Sequence, residues 1–401
     1  MSKTLLEVCN VTTGKLDSNA ATENGKYPFF TCAPEPLRID NYAFDDNVIL
    51  LAGNNAQGNF HLTRYNGKFN AYQRTYIITA RKNFDIDYIR YSIELYLNHF
   101  KKVSQGSQTK FLTMSILEQF KVENIPIEIQ RNRTSILVAI DNKIALNKKI
   151  NATLEAMAKT LYDYWFVQFD FPDENGKPYK TSGGKMIYNS ELGRDIPVGW
   201  EVDTLKGKIF ITRGISYSTE TLSAGTEGMP MINLASVDRK RNYIPSGLKF
   251  FIDDVPNEKK LQAMDMLIAC TDLTRQAEII GSPILVINDR EYTFSMDLAK
   301  LTVTNEKLNA LYLYMTLRTD FYHQYIVGFA SGTTVLHLNT KGIEWYKMLI
   351  PPTVLQKKFA EVINNIYLQT CKNICESQRL AELRDWLLPM LMNEQVNFKE
   401  K

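Results

Sequence analysis

The sequence predicts an α+β fold. It is expected to hold two globular units of mixed strands and helices and two long helices that pack on each other, in an internal repeat. Three observations carry that prediction. Ile136, Ile140, Ile144, Asn147, Ile150 (or Asn151), Leu154, Met157, Leu161 and Trp165 follow at steps of three and four, which is the stripe of an amphipathic helix with a seam near the heptad period. With no Pro or Gly between Pro126 and Pro172, one helix of about 35–40 residues, roughly 50–60 Å long, fits the stretch. A rod of that length needs a partner to bury its seam. The segment after Pro352 supplies one, with Phe359, Ile363 (or Val362), Ile366, Thr370, Ile374, Leu380, Leu383 and Leu387 in a similar stripe. Finally, Gly332, Leu338, Pro352, Gln356, Leu380 and Leu387 stand 226 residues after Gly106, Leu112, Pro126, Gln130, Leu154 and Leu161. An offset constant over so long a stretch marks a duplication.

Taken in order, residues 1–125 form the first unit. Val48–Leu51 is an apolar strand running into a Gly-Asn-Asn loop, Thr75–Thr79 is β-branched and aromatic, and Asn24-Gly25 and Asn66-Gly67 are turn signals. Ile86, Ile89, Ile93, Tyr96, Leu97 and Phe100 place a helix over Asp85–Lys102. A polar loop, Ser104–Leu112, leads to the first long helix, residues 126–171. Residues 172–199, rich in Gly, Pro, Lys and Asp, read as an extended connector ending in a turn at Pro197–Gly199. The second unit, 200–351, repeats the order of the first. Thr204–Gly214 resembles Thr4–Gly14 at an offset of 200, Met266–Asp272 resembles the Val48–Asn54 strand and loop, and one helix is expected from Lys307 to Ile326. The second long helix and a tail fill 352–401.

Composition bounds the function without naming it. Across 401 residues, hydrophobic content is 44% and charged content 23%, ordinary values for a soluble globular protein of two or three domains. The net charge of +3 permits a nucleic-acid partner without demanding one. There is no apolar run long enough to span a membrane and no apolar signal-peptide region near the start, so a cytoplasmic protein is expected. The 5 cysteines and 4 histidines lack the spacing of a zinc site, and no metal is expected.

Catalytic signals are absent. There is no Asn/Asp-Pro-Pro-Tyr/Phe tetrad of an adenine methyltransferase, since Pro351-Pro352 is followed by Thr353. Ser182–Met186 (SGGKM) lacks the first glycine and the final Ser/Thr of a phosphate loop. Pro172–Lys177 (PDENGK) lacks the separated carboxylate of a nuclease metal site. No catalytic residue is named.

The central block LYDYWFVQFDFP, followed by SGGKM and IPVGWEV before a new TLK…ITRG, resembles the specificity (S) subunits of type I restriction–modification systems. The order of units and the loops QGSQTKFL and SGTTVLHL are similar to that family's as well. An IPxGW lead-in is missing before the first unit, which is expected to be the shorter one. The resemblance implies two target-recognition domains, each reading one half of a bipartite, asymmetric double-stranded DNA sequence. It also implies that the long helices form an antiparallel coiled-coil spacer about a pseudo-two-fold. The implied partners are methyltransferase (M) subunits, two per S, and restriction (R) subunits. The chain itself would need no cofactor, with S-adenosylmethionine and ATP bound by the partners.

Reading bases requires Arg for guanine and Asn or Gln for adenine. On that reading the candidate DNA-binding residues of the first unit are Asn54, Asn55, Gln57, Arg64, Gln73 and Arg74. Those of the second are Thr271, Asp272, Thr274, Arg275 and Gln276. Ser107, Gln108, Lys110, Thr333 and Thr334 are candidates for phosphate contacts. Tyr162, Tyr164, Trp165, Phe166 and Phe169, with Phe171, are too aromatic for one seam. They divide between internal packing and an exposed anchor for M subunits. Two other classes stay open: a stand-alone DNA-binding protein, and the recognition subunit of another multi-chain methyltransferase or nuclease. A purely structural coiled coil would leave the duplicated globular units unexplained.

Overall fold

The structure, a computed structural model, describes residues 2–274, 276–287 and 290–396. It divides into two compact units: Met1–Ala145 with Arg379–Lys401, and Leu146–Gln378. The fold is α+β, as the sequence predicts, with strand-rich regions and two long helices, Ile127–Tyr162 and Thr353–Met392.

The first unit is built on a six-stranded sheet in the order Cys9–Thr13, Thr75–Ala80, Phe44–Ala52, Leu62–Ala71, Tyr27–Phe30, Leu37–Ile39. The Val48–Ala52 run is buried throughout because both sheet faces are covered, so alternation sorts it rather than exposing half of it. Ile49 and Leu51 pack with Ile89 and Ile93 of the helix Ile86–Val103. Val48 and Leu50 pack with Phe30 and Phe69 on the opposite face. The helix starts where Asp85 accepts hydrogen bonds from the backbone N–H of Asp87 and Tyr88, an N-cap that satisfies otherwise orphaned donors.

The second unit holds a four-stranded sheet ordered Ile209–Arg213, Leu298–Val303, Met266–Ala269, Pro283–Leu285, beside a three-stranded one. Two expectations change here. The helix foreseen from Lys307 to Ile326 is two helices, Ala310–Leu317 and Asp320–Val327. The break falls at Thr319, whose hydroxyl caps the second by accepting from Tyr322 N–H. The connector is not extended: Met186–Asn189 and Arg194–Pro197 pair as an antiparallel hairpin, and Ile196 and Trp200 join the core of the second unit.

One device recurs in both units. Gln130 is buried at the start of the first long helix. Its Oε1 accepts from Asp85 N–H at 2.8 Å, and its Nε2 donates to the carbonyls of Ile125 (2.8 Å) and Asn83 (3.2 Å). Gln356, 226 residues on, accepts from Asn309 N–H at 2.8 Å and donates to the carbonyls of Pro351 (2.7 Å) and Lys307 (2.9 Å). Asp85 and Asn309 are themselves helix N-caps.

The long helices run antiparallel in each unit. In the first, Leu137 packs with Leu388 and Leu391, and Arg384 Nη1 donates to Asp141 Oδ1 at 3.0 Å. In the second, Asn147 Nδ2 donates to Glu376 Oε2 (2.8 Å) and Ser377 Oγ (3.2 Å), and Asn373 Nδ2 donates to Asn151 Oδ1 at 2.7 Å. The seam differs in detail from the apolar stripe. Asn147 is inward as expected, and of the pair Ile150 or Asn151 it is Asn151 that enters the seam. Ile136, Met157 and Leu383 face outward, while Leu137 and Ala158 take neighbouring inward positions. Hydrogen-bonded polar groups occupy the middle of the seam, and an apolar count cannot foresee that.

Candidate nucleic-acid interface

In the first unit the strand Phe44–Ala52 continues past Gly53 into a two-residue strand, Asn54–Asn55. It pairs antiparallel with Lys110–Phe111 in the register Asn54 to Phe111 and Asn55 to Lys110. The turn Tyr72–Thr75 closes on the same edge. Arg74 carbonyl accepts from Gly53 N–H at 2.8 Å, and the Arg74 guanidinium lies over the Phe111 ring, 4.9 Å from its centroid. Five of the sequence candidates, Asn54, Asn55, Gln73, Arg74 and Lys110, are thereby gathered. Ser107 and Gln108 sit exposed at the tip of the adjoining hairpin. That hairpin needs Gly106, whose φ is +102°, and a Cβ there would meet the Thr109 carbonyl oxygen at 2.0 Å.

The gathered residues do different things. Gln57, Gln73 and Arg74 are exposed. Asn55 Oδ1 accepts from the N–H of Gln57 (2.9 Å) and Asn59 (3.0 Å), so its side chain shapes the loop. Asn54 Oδ1 is shielded and has no hydrogen-bond partner among the described residues. Arg64 lies elsewhere: its Nε donates to Asp87 Oδ1 at 3.0 Å and its Nη1 to the carbonyls of Val48 and Tyr65. It ties the sheet to the start of a helix.

The second unit repeats the edge with other residues. Thr271–Asp272 pairs with Leu336–Leu338, Thr271 opposite His337. Leu338 N–H donates to Cys270 carbonyl at 2.9 Å, as Leu112 N–H does to Gly53 carbonyl at 2.9 Å. Gly332 opens the hairpin with φ +131° and a Cβ position 2.0 Å from the Val335 carbonyl oxygen, leaving Thr333 and Thr334 exposed. Thr271 and Asp272 are buried. Asp272 takes the part of Asn55, accepting from Thr274 N–H and Oγ1 and from Ile279 N–H, each at 2.8 Å. Gln276 is exposed. Arg275 lies outside the described residues.

Sequence reasoning missed the turn Ser295–Leu298. Its backbone bonds match those of Tyr72–Thr75 one for one. Met296 N–H to Ile215 carbonyl (2.8 Å) answers Gln73 N–H to Leu16 carbonyl (2.9 Å), and Cys270 N–H to Asp297 carbonyl (2.8 Å) answers Gly53 N–H to Arg74 carbonyl. The signal was present in Gly14 and Gly214. A Cβ on either would sit about 2 Å from the carbonyl oxygens of Ala71 and Ser295 respectively, so each glycine marks a turn packed on it.

The aromatic cluster is internal. Tyr162, Trp165, Phe166 and Phe169 are buried, with Phe166 ring centroids 4.7 Å from Tyr312 and 4.8 Å from Phe359. Tyr162 OH donates to Thr316 Oγ1 at 3.1 Å. A π-helical turn, Asp163–Val167, ends the long helix, and Trp165 and Phe166 are both buried within it. Tyr164, 37% exposed, is the one member of the five still on the surface. Exposed apolar side chains instead recur at equivalent points of the repeat: Ile136 with Val362, and Met157 with Leu383.

Burial pushes the thiol of Cys9 up to about 12 and that of Cys270 up to about 11, which keeps both protonated and inert. No group of three or more His, Cys, Asp or Glu among the described residues is placed to hold a metal ion.

A family model for the type I restriction modification DNA specificity domain matches residues 1–156. The HindI specificity subunit, from a type I restriction enzyme of Haemophilus influenzae, is 24% identical over 347 residues, 74% of this chain and 74% of that one. The likeness therefore reaches beyond the first unit. The chain is similar to specificity subunits of type I restriction–modification systems over most of its length, and its first 156 residues match their DNA specificity domain. The EcoDI specificity subunit of Escherichia coli is 34% identical over 157 residues, 39% of this chain, and the match spans 33% of that relative's length. The crystal structure of a type I S subunit from M. genitalium shares the fold, with TM-score 0.59 over 100% of this chain and 96% of its own at 15% identity. No described helix is long and apolar enough to cross a membrane.

Proposed function

We propose that this chain acts as an S subunit that reads a bipartite, asymmetric double-stranded DNA target in the cytoplasm. One recognition unit serves each half-site, and the chain holds two M subunits, with R subunits, on the DNA. The observation that carries this is the duplicated edge of short strand, hairpin and turn, built twice on the same backbone bonds with different side chains. A common frame with changed readers is what two unlike half-sites require.

In the first unit the readers are Gln57, Gln73 and Arg74, with Lys110, Ser107 and Gln108 toward phosphates. In the second, Thr274, Arg275 and Gln276 serve with Thr333 and Thr334. Asn55 and Asp272 act by shaping the loops, Arg64 by tying the sheet to a helix start, and Asn54 and Thr271 as members of the short edge strands. The M subunits dock on the outward faces of the long helices, where Ile136 with Val362 and Met157 with Leu383 offer the same apolar contact twice. A net charge of +3 favours this reading over a stand-alone DNA-binding protein, which needs a stronger electrostatic hold. A map of N6-methyladenine in the host genome, with and without the gene, tests it. Loss of methylation at a bipartite motif with a fixed gap is expected, and an unchanged map would count against the reading.

A further inference from the structure

The two matching turns display opposite chemistry. The first unit presents Gln73 and Arg74, both exposed and both carrying N–H donors. The second presents Met296, 52% exposed, and the half-buried Asp297, whose carboxylate oxygens accept. Backbone bonds equate the turns, so the contrast is one of side chains on a common frame: Asp297 stands where Arg74 does, its carbonyl accepting from Cys270 N–H as Arg74 carbonyl accepts from Gly53 N–H, both at 2.8 Å. Among the described residues, Asp297 Oδ2 accepts a long bond, 3.4 Å, from Ser295 Oγ.

Resting on the recognition reading above, we propose that Asp297 is a specificity-determining residue of the second unit and reads a cytosine through its N4 amino group. In the major groove only cytosine N4 and adenine N6 offer hydrogen-bond donors, and adenine sets an N7 acceptor beside its amino group. A carboxylate is repelled by that acceptor and by the O6 and N7 of guanine, so cytosine is the base it accepts. Arg74 on the equivalent turn has the reverse preference, for the O6 and N7 of guanine. The two half-sites are thus read from the same backbone position with opposite polarity.

The test uses the full-length chain co-purified with its modification subunit and selected on duplex DNA carrying randomised blocks. The wild type is expected to enrich a two-part motif with a C·G pair in the half-site that Arg74→Ala leaves untouched. Asp297→Asn keeps an oxygen for Ser295 but adds donors, and should abolish the roughly tenfold or greater preference at that one pair while the other half-site stays the same. A wild-type second half-site made only of A·T pairs overturns the proposal without any variant, and so does an unaltered C·G preference in Asp297→Asn. Failure to enrich any two-part motif would bring down the recognition reading itself and this proposal with it.

Discussion

Asn147 Nδ2 donates to the backbone carbonyl of Asn373 at 3.4 Å, and the two residues stand 226 positions apart. That is the separation of the sequence duplication, so the contact joins a position to its own repeat. Residues related in this way meet here because the two helices run antiparallel and this pair sits at the midpoint of their register. The neighbouring contacts follow the same relation: Asn147 reaches Ser377, the repeat of Asn151, while Asn151 reaches Asn373, the repeat of Asn147.

Asn373→Ala keeps the backbone carbonyl that Asn147 uses but removes the side-chain amide that donates to Asn151 Oδ1, leaving that oxygen without this donor in the seam. It should cost about 1–2 kcal/mol, the penalty for buried polar groups left unpaired, read as a lower urea midpoint. Replacing Asn147, Asn151 and Asn373 together by Leu should hold or raise the midpoint while loosening the register, seen as mixed oligomers in light scattering.

Asp141 joins three donors: Arg90 at 2.6 Å, Tyr91 OH at 2.7 Å and Arg384 at 3.0 Å. Burial opposes its charge, but these partners outweigh it and hold its carboxyl below the ordinary carboxylate range, with Glu94 close by. Asp141→Ala should cost about 1–3 kcal/mol through the lost charge-assisted hydrogen bonds, since Arg90 keeps Glu94 and Arg384 keeps Asp385 as counter-charges. A depressed folded pKa gives stability that is present above the unfolded value and lost as pH falls through the folded one. The gap between wild type and variant should therefore narrow in denaturation series taken below about pH 4.

Trp165→Ala and Phe166→Ala should destabilise the second unit by about 3–5 kcal/mol, the loss for a large buried aromatic, because both rings lie in its core. Met157→Glu and Leu383→Glu should leave the midpoint nearly unchanged, since both side chains already face solvent. If the M subunits dock as proposed, each Glu variant should remove one M per S in the mass of the purified complex. Two M subunits retained in both would place the docking elsewhere.

Inserting four residues, about one helical turn, into each long helix adds roughly 6 Å of rise. The gap of the methylated motif should grow by about one to two base pairs at ~3.4 Å each. An unaltered gap would separate the helices from the spacing.

Much of this architecture was legible in the chain. Glycine, proline and glutamine at a constant offset betrayed the duplication, because those residues are tied to backbone geometry. The inward positions of the long helices were only half legible. Ile136 and Leu137 are equally apolar, and the choice between them is made by Asn147, Asn151 and Arg384, whose hydrogen bonds need both helices. The residues proposed as readers were least legible. Asn55 and Arg64 looked alike as loop and strand polars, yet one shapes a turn and the other ties the sheet to a helix. Met296 and Asp297 carried no Asn, Gln or Arg to draw notice. The aromatic run was ambiguous for a simpler reason: a cluster rich enough to anchor a partner is also rich enough to fill a core, and most of it does.

Gln130 and Gln356 hold the helix starts entirely by main-chain atoms, one N–H and two carbonyls in each case. A joint of that kind is blind to side chains. The loops around it can drift in sequence or be exchanged wholesale without loosening the socket, provided the backbone path at three points is kept. Novelty in what is recognised and constancy in how the parts fit are thus governed by different atoms. A new target can evolve without the rest of the machine being rebuilt.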